Sequence, residues 1–96
     1  MQFNVVFTDE ADDTFDSIGN QILERWGEAE LFKFRARAYD IVERLSKFPF
    51  IFQAVESSVN IRKAVIHKNC SLFYRVSDQN VILLFFWDNR QDPIFI

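Results

Sequence analysis

The last third of the chain constrains the fold most, because residues 61–93 read as three strands joined by tight turns. Three apolar segments suit strands: 61–67, 70–77 and 81–88. The links at 68–69 and 78–80 contain Asn and Asp, which tolerate turn conformations. Residues 81–87 are apolar on both faces of a strand, which predicts a central position in a sheet. Strands this apolar need a cover, and the preceding segment has to supply it.

That preceding segment reads as a short strand and two helices. Residues 3–7 are a strand candidate, and Thr8 suits the N-cap of the next helix because its hydroxyl accepts a free backbone N–H. Apolar residues of the first helix recur at steps of three and four: Ala11, Phe15, Ile18, Ile22 and Trp26. Gly27 predicts its end. A second helix is predicted over 28–46, and Pro49 excludes its continuation. Its apolar stripe is Leu31, Phe34, Ala38, Ile41, Val42 and Leu45.

These elements predict one α+β domain over 1–96, in the order β-α-α-β-β-β. The short link between the helices favours an antiparallel hairpin that covers one face of a mainly antiparallel sheet. Alternation places Arg62 on one face of its strand, with Lys63 and His67 on the other. The apolar segment 48–52 either plugs the end of the core or forms an exposed patch that a partner covers.

The composition is that of a globular protein. Apolar residues make up 49% of the 96 residues and charged residues 26%. The longest apolar run, 81–87, is far shorter than the ~20 residues that a membrane helix needs. The first residues lack the pattern of a secretion signal, and Cys70 is the single cysteine. The sequence therefore predicts a cytoplasmic protein.

The net charge of −3 hides an asymmetry along the chain. Residues 1–30 carry eight acids and one base, a balance of −7, whereas residues 31–96 carry ten bases and six acids, a balance of +4. Residues 61–75 contain four bases and no acid, which supplies a local positive field. A nucleic-acid partner is compatible with this segment, and so is the plainer interpretation that its bases solvate an exposed sheet face.

General signatures of catalysis are absent from the sequence. Two glycines do not make a phosphate-binding loop, and no Cys/His spacing is typical of zinc. His67 is more typical of a satisfied strand residue than of an acid or base, and Cys70 of a small buried hydrophobe. The sequence predicts no metal and no cofactor.

Six features follow one another in a recognisable order. They are the strand before Thr8, Trp26-Gly27 near the helix turn, Pro49, the strand start at 61–63, Tyr74-Arg75-Val76 and the closing segment 88–93. Together they resemble the RelE/ParE superfamily of bacterial toxins over nearly the whole chain. The resemblance implies the toxin of a type II toxin–antitoxin module, which stabilises plasmids or chromosomal segments and is neutralised by a cognate antitoxin.

The superfamily has two branches with different targets. RelE-like members are metal-independent endoribonucleases that cleave mRNA on the ribosome, where cations stabilise the phosphate and another group transfers a proton. ParE-like members bind DNA gyrase and trap it with cleaved DNA. This chain has Ser71 and Ala64 where the RelE-like branch has bases, and no catalytic Tyr or His follows Arg90. The ParE-like branch fits better, so a gyrase inhibitor is the first expectation. The alternatives are an mRNA interferase and an inactive relative that only binds the antitoxin.

The resemblance also suggests site residues. Arg62 matches a basic residue of the nuclease branch and Arg90 lies within one position of another, so Arg62, Tyr74 and Arg90 are the catalytic candidates if the chain is a nuclease. Tyr74 is equally compatible with packing under the helices. A wider set is expected to bind the antitoxin or the target: Arg62, Lys63, Lys68, Arg75, Trp87 and Arg90. The antitoxin segment is expected to be disordered alone and to offer acidic side chains to these bases.

Overall fold

The structure, a computed structural model, describes residues 2–55 and 60–91, and its elements follow the predicted order. They are β1 (Asn4–Phe7), α1 (Asp9–Trp26), α2 (Glu28–Lys47), β2 (Ile61–His67), β3 (Cys70–Ser77) and β4 (Asn80–Asp88). The sheet has the order β1-β4-β3-β2, with β1 parallel to β4 and the other neighbours antiparallel. The predicted α+β layout and the central position of β4 are confirmed. None of the helices in the described ranges is long and apolar enough to cross a membrane.

Local chemistry sets both ends of α1. The Thr8 hydroxyl accepts the Ala11 N–H at 3.1 Å, as predicted for an N-cap, and also donates to the Leu83 carbonyl of β4 at 2.7 Å. The helix ends at Gly27, whose φ of 91° disfavours any residue with a Cβ. Because α2 begins at the next residue, a single glycine makes the turn of the helix hairpin.

The core lies between this hairpin and one face of the sheet. Phe15 of α1 stacks on Phe34 of α2, with 5.1 Å between ring centroids, and lies 5.0 Å from the ring of Phe86 on β4. The large, fully buried side chains come from both helices and all three late strands: Ile22, Phe34, Leu45, Ile66, Leu72, Tyr74 and Leu83. The predicted stripe of α2 is buried or half-buried throughout, which confirms the periodicity argument.

Two residues differ from their predicted surroundings. Trp26, placed on the buried stripe of α1, is 42% exposed because it lies in the last turn, at the end of the core. His67 was predicted to share a face with Lys63, but the pairing register shifts between Val65 and His67. Such a bulge moves the next side chain to the other face, and His67 therefore packs against α2, 6.5 Å from the ring of Phe34.

Candidate functional site

The predicted site residues lie on opposite faces of the sheet. Arg62 and Tyr74 pair with each other across β2 and β3, on the face that the helices cover. The opposite face, which we call the outer sheet face, is formed by Lys63, Phe73, Arg75, Phe85 and Trp87. A register shift between Phe73 and Tyr74 keeps Phe85 on the outer face while Phe86 enters the core. The late-strand bases therefore do not share one surface.

Arg62 holds the segment that follows α2. Its Nη1 donates to the Phe52 carbonyl at 2.6 Å, and its guanidinium carbon lies 5.0 Å from the centre of the Phe50 ring. Ala54 adds an isolated antiparallel bridge to Arg62. The guanidinium, which sequence reasoning offered to a partner, thus already binds a carbonyl and an aromatic ring of its own chain.

Tyr74 is fully buried beneath the same segment. Its hydroxyl donates to the Pro49 carbonyl at 2.8 Å. Burial raises the pKa of Tyr74 to about 12, although the neighbouring Arg62 opposes the shift. A phenol in this position is protonated at neutral pH, and its proton is already committed to a backbone acceptor.

Arg90 lies at the far end of β4, against α1. Its Nη2 is 2.6 Å from Asp88 Oδ2 and 3.1 Å from Gln21 Oε1, and its guanidinium carbon lies 5.7 Å from the centre of the Trp26 ring. The hydrogen bond from Arg90 holds the pKa of Asp88 below its usual range, and the same bond raises the pKa of Arg90. The pair fastens the end of β4 to the last turns of α1.

The three catalytic candidates are not in one place. Arg62 and Tyr74 are neighbours, whereas Asp88, which holds Arg90, pairs with Cys70 at the other end of β3. Cys70 and Tyr74 are four residues apart, and a strand rises about 3.3 Å per residue, so about 13 Å separates the two positions along the strand. The proposed catalytic roles of these residues stay predictions; the structure brings two of them together and leaves the third apart.

The outer sheet face combines aromatic rings with cations. Phe73 stacks on Phe85 at 5.0 Å between centroids, and Trp87 meets Phe85 edge-on at 6.4 Å. Lys63 Nζ lies 5.9 Å from the centre of the Phe73 ring, and Arg75 is exposed beside it. Phe73 is only 4% exposed, so this face offers the half-buried rings of Phe85 and Trp87 together with exposed positive charge. Aromatic and Arg side chains are enriched on surfaces that bind proteins.

The remaining polar candidates are not arranged as a catalytic site. Ser71, which stands where the nuclease branch has an Arg, is fully buried and donates to Asn89 Oδ1 at 3.0 Å. His67 Nδ1 accepts the Asn69 N–H, and its Nε2 lies 3.2 Å from Glu30 Oε2. That hydrogen bond lowers the pKa of Glu30. Burial raises the pKa of Cys70 to about 12, so its thiol is not a nucleophile at neutral pH. Lys68 is exposed in the β2–β3 turn.

Segment 48–52 both closes the end of the core and forms an exposed apolar patch, the two alternatives that the sequence left open. Pro49 is buried and Phe52 packs against the core, so they plug its end. Phe48, Phe50 and Ile51 stay exposed by 51–61% and form an apolar patch beside Arg62. A contiguous apolar surface of this kind marks an interaction site more often than scattered residues do.

Sequence reasoning missed two features. Arg37 donates from Nε to the Ile66 carbonyl at 2.6 Å and so fastens α2 to β2. The second is a pair of exposed aromatic residues of α2 outside its core stripe, Phe32 and Tyr39, of which Tyr39 lies 6.4 Å from the ring of Phe15. Their spacing of seven residues is a signal that a helical projection would have shown. Among residues 2–55 and 60–91, no group of three or more His, Cys, Asp or Glu side chains could hold a metal ion.

Comparisons with known proteins agree with this architecture. The sequence model of the family described as "ParE toxin of type II toxin-antitoxin system, parDE" matches residues 5–93. No curated protein sequence matches the chain significantly.

Solved structures with the same fold are distant in sequence. A chromosomal ParDE toxin–antitoxin system from P. aeruginosa superposes with a TM-score of 0.75 at 15% identity, covering 91% of this chain and 96% of the other. The RelBE2 toxin–antitoxin complex from Mycobacterium tuberculosis gives a TM-score of 0.65 at 18% identity, covering 92% and 99%. The YoeB dimer from Staphylococcus aureus gives 0.62 at 10% identity, covering 88% and 94%. With a family match that spans nearly its whole length, the chain belongs to the ParE family of toxins from type II toxin–antitoxin systems.

Proposed function

We propose that this toxin arrests bacterial growth by binding DNA gyrase, as a protein ligand and not as a nuclease. The observation that carries the proposal is the engagement of Arg62, Tyr74 and Arg90 within the fold. Each of them is bonded to a partner in its own chain, and they lie at two ends of β3.

Metal-independent RNA cleavage needs cations at the phosphate and a group that transfers a proton. Tyr74 has no access to a substrate and a pKa of about 12. Arg62 would have to release the Phe52 carbonyl to reach a phosphate, and Arg90 would have to leave a buried carboxylate. Because a binding role requires none of these rearrangements, the geometry favours it.

The outer sheet face is the surface that we assign to the target. Lys63 and Arg75 are exposed there, with Lys63 Nζ 5.9 Å from the centre of the Phe73 ring, and the half-buried rings of Phe85 and Trp87 lie on the same face. Aromatic and Arg side chains carry much of the binding energy in protein interfaces, and charges at the rim steer association. The ParE family match supports gyrase as the target, because the ParE-like branch is the one that acts on gyrase.

We further propose that a cognate antitoxin neutralises this chain, within a module that stabilises the replicon carrying it. The ParDE and RelBE2 relatives are toxin–antitoxin systems. An antitoxin segment that folds on binding would place apolar side chains over Phe48, Phe50 and Ile51, and acidic side chains against Lys63 or Arg75. Arg62 and Arg90 contribute less to such binding, since their charges are already paired.

Growth arrest after induced expression without antitoxin tests the target. DNA and protein synthesis are followed separately by pulse labelling, and purified chain is added to a gyrase supercoiling assay. We expect DNA synthesis to stop first and supercoiling to be inhibited. Protein synthesis stopping first, with mRNA cleavage, would establish the ribosome-dependent endonuclease instead. Normal growth with a folded chain would establish a non-toxic relative.

A matched pair of charge reversals locates the surface. Arg75→Glu on the outer sheet face is expected to abolish growth arrest, whereas Lys47→Glu, an exposed reversal on α2, is expected to leave it intact. Equal effects of both variants would show that overall charge matters and the outer face does not. The thermal midpoint of each variant, measured by circular dichroism, separates lost binding from lost folding.

A further inference from the structure

The outer sheet face separates its cations from its accessible rings. Cross-strand pairing sets Lys63 beside Phe73 and Phe73 beside Phe85, so these three side chains form one row from β2 to β4. Trp87 lies two positions beyond Phe85 on β4, and its ring meets the Phe85 ring edge-on. Arg75 lies two positions from Phe73 on β3, on the other side of the row. Both cations are therefore on β2 and β3, and both half-buried rings are on β4.

No carboxylate accompanies these cations on the part of the sheet that the structure describes. The outward-facing positions of β1 to β4 contain neither Asp nor Glu, and Asp88 at the end of β4 is held on the α1 side by Arg90. None of the ion pairs among the described residues includes Lys63 or Arg75.

The acidic residues of the first third lie in the helix layer, on the opposite side of the sheet. Five of them belong to the first half of α1: Asp9, Glu10, Asp12, Asp13 and Asp16. Because opposite charges are segregated to opposite sides of the molecule, a chain with a net charge of −3 still presents one positive face. An anionic ligand is attracted to the outer sheet face and repelled from α1.

A positive face with accessible rings is suited to a single strand of nucleic acid. Proteins bind such strands through Lys and Arg contacts to phosphates and by stacking bases on aromatic side chains, and a sheet is one of the platforms they use. Diagonal neighbours on adjacent antiparallel strands lie about 7–8 Å apart, so Lys63 and Arg75 can contact the same strand. The rings of Phe85 and Trp87 are then on the side where its bases lie.

We propose that the outer sheet face binds single-stranded DNA, with Lys63 and Arg75 on the phosphates and with Phe85 and Trp87 against the bases. This face is the one assigned above to gyrase, so its biological role as a DNA contact rests on the proposed function. In the complex with gyrase, it contacts the DNA strand that the enzyme holds. Binding to DNA alone is measured without gyrase, and the two proposals can therefore fail separately.

Fluorescence anisotropy of a labelled oligothymidine measures binding to the full-length purified chain over a series of salt concentrations. Each phosphate contact on a single strand contributes about −0.7 to the slope of log K against log salt, so two contacts predict a slope of about −1.4. Lys63→Gln and Arg75→Gln should each reduce the size of the slope by about 0.7. Lys47→Gln removes one exposed charge from α2, and this matched control should leave the slope and the affinity unchanged.

A second set of measurements tests the stacking. Trp26→Phe leaves Trp87 as the single tryptophan of the chain, and we expect oligothymidine to quench its fluorescence. Phe85→Leu keeps an apolar side chain but removes the ring, so it should weaken binding at least about fivefold. An abasic oligomer of the same length keeps the phosphates and should also bind at least about fivefold more weakly. Thermal unfolding of each variant verifies that it is folded.

Three results would overturn the proposal. They are a folded wild-type chain that does not bind oligothymidine at low salt, an abasic oligomer that binds as tightly as oligothymidine, and an RNA of the same length that binds more tightly than the DNA. If the chain inhibits gyrase but does not bind oligothymidine, the proposed function stands and the DNA contact is wrong. If it binds oligothymidine as described but does not inhibit gyrase, the DNA site stands and the proposed target is wrong.

Discussion

The two faces of the sheet use the same residue types in opposite ways. On the helix-covered face, Arg62 donates to the Phe52 carbonyl and Tyr74 to the Pro49 carbonyl. Both side chains therefore bind the loop that follows α2. On the outer sheet face, Lys63 and Arg75 are exposed, and among the described residues Arg75 has no hydrogen bond or ion pair through its side chain. Arg62 and Lys63 are adjacent in the sequence, yet the first is bonded within the fold and the second is exposed on the outer sheet face.

A count of bases in the sequence overstates the positive charge that a surface of this protein offers. Of the Arg residues on or beside the late strands, Arg62 and Arg90 are held by groups of their own chain, as is Arg37 of α2. A guanidinium with several donors is well suited to bind backbone carbonyls and carboxylates in this way. The positive charge that the sheet exposes to solvent is therefore carried by fewer residues than the sequence indicates.

Truncating neighbouring residues of β4 should give the largest difference in stability between the two faces. Leu83→Ala removes a fully buried side chain from the core and should lower the free energy of unfolding by about 2–5 kcal/mol. Ile82→Ala, on the outer face, should cost less than half as much, because Ile82 is only half-buried. Urea denaturation of both variants measures the difference. Equal losses would mean that the outer face is as much a core as the inner one.

A second pair compares the two cations. Arg62→Gln should cost about 1.5 kcal/mol of stability, since it removes a charged donor from the Phe52 carbonyl. Lys63→Gln should change stability by less than about 0.5 kcal/mol, as is usual for exposed side chains. Chemical denaturation again gives both values. A destabilising Lys63→Gln would show that the outer cation is also structural.

Tyr74→Phe separates a structural from a catalytic hydroxyl. The variant loses one hydrogen bond to the Pro49 carbonyl and should be destabilised by about 1 kcal/mol. We expect growth arrest to persist, because the phenol is fully buried and hydrogen-bonded to the Pro49 carbonyl. A variant that folds with wild-type stability but no longer arrests growth would restore Tyr74 as a catalytic residue.

The smallest effect is expected from the Asp88–Arg90 pair, whose Arg90 side chain is 31% exposed and therefore screened. Because the folded-state pKa of Asp88 is lowered, its contribution to stability is complete above the unfolded value of about 3.9 and is lost as the pH falls through the folded value. Asp88→Asn should thus have a lower free energy of unfolding than the wild type at pH 7, and this difference should disappear in acid.

The control is Arg90→Gln, which removes the hydrogen bond that lowers the pKa of Asp88. Its difference in unfolding free energy from the wild type should likewise disappear in acid. Both variants are compared with the wild type by urea denaturation between pH 7 and acid. If the difference in unfolding free energy between Asp88→Asn and the wild type is the same at both ends of this range, the Asp88–Arg90 ion pair does not stabilise the folded chain.

Local sequence was sufficient for most of the fold. The bounds of β2 and β3 follow from apolar alternation, and the turn at Asp78 follows from a residue that tolerates its φ of 54°. Thr8 and Gly27 set the ends of α1 through their own chemistry. Such features depend on a few neighbouring residues, so the sequence contains what is needed to predict them.

The site depends on contacts between distant residues, and these were not predictable. The bulge that turns His67 toward α2 follows from how β2 fits β3 and the helices, not from the residues of β2 alone. Likewise, nothing local indicates that Arg62 will meet the Phe52 carbonyl or that Arg90 will reach Gln21 across 69 positions. Periodicity gives the face of a side chain, but not the acceptor that it finds there.

The pairing of β1 with β4 has a consequence for how the toxin is made. β1 is an edge strand whose neighbour is the last strand of the sheet, and Thr8 bonds a carbonyl 75 positions further along the chain. A nascent chain that has left the ribosome only as far as α2 therefore has its helices but no strand for β1 to join. Contacts between such distant positions are slow to form because a long loop must close first. The sheet, with both of its faces, is therefore completed only after β4 has been made, and until then the outer sheet face does not exist.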